Sequence, residues 1–200
     1  KDDITNSIKA KNYPLTALVK AAAESKIKKI EVKENKNSHA FHGTAAYAAI
    51  VIGASTGGPG AIENLLKQLP NNLILPVIIA QHMPDSFIQS FAKRLDILTE
   101  LRVKVADSGE EIRPGYIYLA PGHANMRLRK NPHTGGVVVH FTDKVFTEFN
   151  NPSIDCLMES AAEVYGDRMI GVILTGMGKD GTEGLKKVKA KGGITIAQDE

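Results

Sequence analysis

Three short runs in this 200-residue chain carry no polar side chain: Ile50-Val51-Ile52, Leu75 to Ala80 and Met169 to Leu174. A strand with one wet face alternates apolar and polar residues. A strand that is apolar throughout must be covered on both faces, which is the condition of a parallel sheet flanked by helices. Helical periodicity lies between the runs. Ile62, Leu65, Leu66 and Leu69 share one face closed by Pro70, and Phe87, Phe91, Ala92 and Leu95 mark a second. Short strands are expected at Val103 to Ala106 and Tyr116 to Ala120, around the turn Arg113-Pro114-Gly115. Asn131-Pro132-His133-Thr134-Gly135-Gly136 has hairpin-turn composition before Val137-Val138-Val139. Asn151-Pro152 predicts a helix start, Asn capping and Pro in the first turn, with Ile154, Leu157, Met158, Ala161, Ala162 and Tyr165 at helical spacing before Gly166. A last helix stops at Gly192-Gly193, and Ile194 to Ala197 starts one more strand. The pattern predicts an α/β fold: a doubly wound, mostly parallel sheet with helices on both faces and a small antiparallel hairpin.

Composition narrows the function classes. At 42% hydrophobic and 24% charged, the chain can build a core. Its single cysteine excludes a disulfide scaffold or a cysteine-based zinc cluster and fits a reducing compartment. No apolar run approaches the roughly 20 residues of a membrane span, and no secretory leader pattern opens the sequence. The net charge of +3 is unevenly placed. Residues 1–49 hold nine Lys against five Asp/Glu, or +4, whereas residues 50–200 hold 16 Lys/Arg against 17 acids, or −1. The basic excess therefore belongs to the head of the chain and gives no reason to expect nucleic acid as a partner. That head reads as a short amphipathic helix after Pro14 followed by a polar tether over 26–44.

Ligands of open α/β sheets bind beyond the carboxyl ends of the strands. Ser55, His82 and Asp180 each follow a predicted strand. Gly53-Ala54-Ser55-Thr56-Gly57 matches G-x-S-x-G between strand and helix, the context of a nucleophile elbow. There the Ser55 hydroxyl stands clear, and helix-start N–H groups, including that of Thr56, can face a developing oxyanion. Taken alone, the loop reads equally well as a glycine turn whose serine caps the helix. An imidazole at His82, one strand along, can serve as base, and Asp180 can orient it. The order Ser, His, Asp differs from the Ser, Asp, His of common α/β-hydrolases. A rival reading makes the same loop a dinucleotide-binding glycine turn. The second strand, however, ends Ala80-Gln81-His82 without the acid that would hold a ribose.

Other candidates read as structural. His39 and His42 stand in the polar tether without further ligands, and His123, His133 and His140 are scattered without a metal pattern. Cys156 falls on a helical face as a packing thiol, and Lys186, Lys187, Lys189 and Lys191 as a solvated helix end.

Four ordered motifs go further: Ile52-Gly53-Ala54-Ser55-Thr56-Gly57-Gly58-Pro59, Gln81-His82-Met83-Pro84, Ile117-Tyr118-Leu119-Ala120-Pro121-Gly122 and Leu174-Thr175-Gly176-Met177-Gly178-Lys179-Asp180-Gly181. Together with Ile196-Ala197-Gln198-Asp199-Glu200, they make residues 50–200 resemble the catalytic domain of the chemotaxis protein-glutamate methylesterases. The resemblance implies hydrolysis of γ-glutamyl methyl esters, and deamidation of glutamines, on cytoplasmic chemoreceptor helices, hence a cytoplasmic enzyme without membrane insertion. It makes Ser55 the nucleophile, His82 the general base and then acid, and Asp180 the orienting carboxylate. It also puts the Met177 N–H in the oxyanion hole and implies no metal or organic cofactor. It would make residues 1–49 a linker with the end of a receiver domain served by a histidine kinase, and it expects a further segment beyond Glu200. The alternative is a non-catalytic nucleotide- or protein-binding module of the same fold. Two departures stand out: Asn125-Met126 where the family commonly has His-Met, and Asn150-Asn151 where it often has His-Arg. Both are expected to line the substrate side, away from the triad.

Overall fold

The computed structural model describes residues 47–144, 146 and 151–199. The predicted helix after Pro14, the tether, His39, His42 and Asn150 lie outside these residues. The first half runs β1 (Ala49–Ala54), α1 (Gly58–Leu66), β2 (Val77–Gln81), α2 (Asp85–Leu98), β3 (Arg102–Val105) and β4 (Tyr116–Leu119). The second half runs β5 (Asn125–Lys130), β6 (Val137–Thr142), α3 (Ile154–Tyr165), β7 (Met169–Ile173), α4 (Thr182–Ala190) and β8 (Ile194–Ala197). Six strands form one sheet in the order β3-β4-β2-β1-β7-β8, every neighbouring pair parallel. The doubly wound expectation holds.

The unbroken apolar runs take the middle of the sheet. All six residues of β1 and all five of β2 are buried. Ile50, Ile52, Val77, Ile79, Ile170 and Val172 pack under Ile62, Leu65 and Leu66 of α1 and Ile88, Phe91, Ala92 and Leu95 of α2. Val51, Ile78 and Tyr118 face Leu157, Met158 and Ala161 of α3 and Val188 of α4 on the other side. Each fully buried Leu or Ile stabilises the fold by about 1.5–3 kcal/mol, so this two-sided burial accounts for the choice of sheet. β5 and β6 pair antiparallel as a hairpin, with Met126, Leu128 and Val139 turned into that second core. No helix among the described residues is long and apolar enough to cross a membrane.

Two sequence expectations need correction. Phe87 does not join the buried face of α2 but is 61% exposed, and Ile88 takes the place. At about 100° per residue, Phe87 stands roughly a quarter-turn round from the stripe set by Ile88, Phe91, Ala92 and Leu95. The cap of α3 is Ser153 rather than Asn151, since its side chain accepts the Cys156 N–H. Asn151 and Pro152 precede the helix, and Asn151 is exposed.

Candidate active site

Ser55, His82 and Asp180 meet at the carboxyl edge of the sheet because β1 lies between β2 and β7. Main-chain bonds hold the strand ends together. The Ser55 N–H donates to Thr175 O at 3.1 Å, His82 N–H to Ala54 O at 3.0 Å and Leu174 N–H to Gly53 O at 2.9 Å. Gln81, the polar residue closing an apolar strand, donates its amide to Ser55 O at 3.0 Å and His82 O at 2.9 Å. It thus staples the nucleophile loop to the histidine loop. A Cβ on Gly58 would run into Gln81 Oε1, so the glycine after the loop makes room for this staple. The position where a dinucleotide fold keeps its ribose acid is occupied by a residue already engaged in holding the triad.

The Ser55 hydroxyl lies 3.0 Å from His82 Nδ1, and His82 Nε2 lies 2.7 Å from Asp180 Oδ2. The imidazole therefore presents Nδ1 to the serine and Nε2 to the carboxylate, the reverse of the serine-protease template. Asp180 Oδ2 also accepts the Ile154 N–H at 2.7 Å, and Oδ1 accepts the Asp155 N–H at 2.9 Å and the Ser153 hydroxyl at 3.1 Å. An acceptor so supplied with donors stays ionised. Burial alone would raise the Asp180 pKa, but the His82 hydrogen bond and the N–H groups of Asp155 and Ile154 outweigh it and hold the carboxyl below its ordinary value. The neutral imidazole then keeps its proton on Nε2 and turns the Nδ1 lone pair toward Ser55.

The carboxylate sits at the positive end of α3, and the arrangement is reciprocal. Asp155, in the first turn of α3, accepts the N–H groups of Gly181 at 2.9 Å and Gly184 at 2.7 Å at the start of α4. Each acid thereby fixes the helix that begins beside the other. Burial raises the Asp155 pKa, with the neighbouring Asp180 charge adding to it.

A cavity of about 450 Å³ opens on Ser55, His82 and Asp180 and extends past Met177 to Leu185, Lys186, Lys189 and Ile196. Met177, 83% exposed, stands on its wall. Thr56 adjoins Ser55 in the exposed turn before α1. Gly176 lies so close that a Cβ there would stand 2.7 Å from Ser55 Cβ. Gly176→Ala is expected to push the nucleophile aside and lower kcat about 100-fold while the far-ultraviolet circular dichroism stays unchanged. A kcat near that of the unaltered chain would contradict this packing.

The remaining candidates fall elsewhere. His123 pairs with Asp85 at 2.8 Å and meets Phe141 edge-on. Among the described residues, no group of three or more His, Cys, Asp or Glu could hold a metal ion. Cys156 is buried, and burial pushes its thiol up to about 12, as befits a packing residue. The lysines of α4 and its C-cap Lys191 are more than a solvated end. Lys187 and Lys191 both pair with Glu163 of α3, and Lys186 and Lys189 line the cavity. Asn125 does not line the substrate side. It is 3% exposed, accepts the Ser153 N–H at 2.6 Å and donates to Lys144 O at 3.0 Å, behind the triad. Sequence reasoning gave no role to Gln81, Ser153 or Asp155. A polar residue closing an apolar strand was the readable signal for Gln81, and a serine or aspartate at a helix start for the other two.

The Ser-His-Asp line at the carboxyl edge of a doubly wound sheet has the geometry that serine hydrolases use. Comparison with known proteins narrows the class. The family model described as CheB methylesterase matches residues 50–200. The protein-glutamate methylesterase/protein-glutamine glutaminase of Thermotoga maritima is 46% identical over 153 residues, covering 76% of this chain and 43% of that protein. Its namesake in Nitrosomonas europaea is 39% identical over 208 residues, covering 100% of this chain and 57% of that protein. The crystal structure of the Thermotoga maritima CheB methylesterase catalytic domain superposes with a TM-score of 0.74 at 43% identity, covering 77% of this chain and 80% of that one. This chain belongs to the CheB methylesterase family. It spans about half the length of the curated relatives it matches.

Proposed function

We propose that this chain hydrolyses γ-glutamyl methyl esters on the cytoplasmic helices of chemoreceptors, and deamidates glutamines there by the same chemistry. The relatives named for both activities support the substrate class. The observation that carries the reaction class is the unbroken line from Ser55 Oγ through His82 to Asp180. Ser55 Oγ attacks the ester carbonyl as His82 Nδ1 takes its proton, while Nε2–H keeps donating to Asp180, whose charge stabilises the imidazolium. The backbone N–H groups of Met177 and Thr56 are the donors for the oxyanion. His82 returns the proton to the methoxy oxygen, the C–O bond breaks and methanol leaves an acyl-Ser55 ester. Water, deprotonated by His82, then attacks that ester, and the proton returns to Ser55, releasing the glutamate. With a glutamine side chain the leaving group is ammonia. No step draws on a metal or organic cofactor.

Residues 50–200 are the catalytic unit in this reading, supported by the extent of the family match. Residues 1–49 are a linker with the end of a receiver domain governed by a histidine kinase, in keeping with their polar, basic composition. The test is methanol release and loss of the methyl mass from a methylated chemoreceptor helix. Turnover is expected. No turnover, together with tight dinucleotide binding by calorimetry, would favour a binding module instead.

A further inference from the structure

We infer that Ser153 is a positioning residue for the triad, acting through Asp180 and itself held by Asn125. This rests on the reading of Ser55, His82 and Asp180 as the catalytic set. A carboxylate turns readily about its last torsion, which is broad and two-fold. Holding one oxygen 2.7 Å from His82 Nε2 therefore requires donors on the other oxygen as well. The fixed first turn of α3 supplies one donor to each oxygen, Ile154 N–H to the same Oδ2 and Asp155 N–H to the opposite Oδ1. The side-chain donor is the Ser153 hydroxyl, 3.1 Å from Oδ1.

Its direction is determined. A hydroxyl carries one proton, and the Cys156 N–H, 3.1 Å away, takes a lone pair of the same oxygen. The proton is left for Asp180. Ser153 is 1% exposed, and its own N–H is anchored 2.6 Å from Oδ1 of Asn125, which is 3% exposed. Asn125 in turn donates to Lys144 O at 3.0 Å, just beyond the hairpin. The chain Asn125, Ser153, Asp180, His82 thus runs from the hairpin to the nucleophile. Neither Asn125 nor Ser153 lines the cavity. Loss of Ser153 must then act on the chemical step and leave substrate binding alone.

Ser153 also caps α3, so the test separates the two roles. Glycine caps a helix nearly as well as serine but has no proton to give. Threonine keeps the hydroxyl. For Ser153→Gly, kcat for methanol release is expected to fall about tenfold or more, since a hydrogen bond to a charged buried group is lost. KM should change less than about twofold, while the thermal midpoint falls by about 3–10 °C because the buried carboxylate loses a donor. Ser153→Thr should recover most of kcat. The downfield proton resonance of the His82 Nε2–H should shift in the glycine variant and return in the threonine one. Ser153→Ala gives a second variant if the glycine form does not fold, with the same split between kcat and KM. An unchanged kcat and Nε2–H resonance in a folded Ser153→Gly or Ser153→Ala chain, with Ser55→Ala inactive, would overturn the positioning role alone. Full activity of Ser55→Ala would overturn the triad reading beneath it.

Discussion

Asp180→Asn is expected to lower kcat for ester hydrolysis by about 10⁴-fold with little change in KM. The cause is a mismatch of protons. Asp180 receives four donors, His82 Nε2, Ser153 Oγ and the N–H groups of Ile154 and Asp155. An asparagine must replace one acceptor by an NH₂, and either orientation sets that group against a backbone N–H. Turned toward His82, it also forces Nε2 to accept, which moves the imidazole proton to Nδ1 and leaves Ser55 without a base. Steady-state methanol release by the variant checks this, and activity within tenfold of the unaltered chain would argue against the assigned tautomer.

The same substitution changes acid stability. Asp180 has a folded pKa below its unfolded value, so its contribution is present above the unfolded pKa and is lost as pH falls through the folded one. The sign is opposite for Asp155, whose raised pKa means that the fold binds its proton more tightly than the unfolded chain does. Removing the Asp180 charge relieves part of the repulsion that raises Asp155, which offsets only some of the lost Asp180 contribution. Asp180→Asn should therefore lower stability near neutral pH and flatten its fall below about pH 4, the ordinary carboxylate range. Urea unfolding across pH 3 to 7 reads this directly.

Ser55→Ala carries the largest expected loss, about 10⁶-fold in kcat. The fold should tolerate it, because the hydroxyl is half-buried at the cavity wall and its partner His82 keeps Asp180 and some contact with solvent. In the proposed mechanism, residual turnover would come from water attacking the bound ester directly, so substrate binding should persist while methanol release all but stops. Binding of a methylated helix with unchanged affinity, alongside that loss, is the expected pair of results.

How much of this was legible beforehand follows from where each contact lies along the chain. Apolar runs at β1, β2 and β7 announced a sheet buried on both faces, and residues at their ends announced the triad. Those signals are local. The donors to Asp180 were not, since Ser153, Ile154 and Asp155 lie 25 to 27 residues away and reach it only when α3 and α4 set their N-termini side by side. Asn125 was misplaced for the same reason. As a departure from the family pattern just after Ala120-Pro121-Gly122 it is expected on the substrate side, but the docking of β5 against α3 turns it inward. The cap of α3 was misread because Asn-Pro and Ser153 both satisfy helix-start chemistry, and hydrogen-bond geometry decides between them.

The central claim is that His82, oriented by Asp180, activates Ser55 at the sheet edge. Reaction with a fluorophosphonate, followed by peptide mass mapping, tests it most directly. One equivalent of label on Ser55, loss of turnover in proportion to labelling, and no labelling of His82→Ala are the predicted results. Label on another residue, or full methanol release from a completely labelled chain, would contradict it.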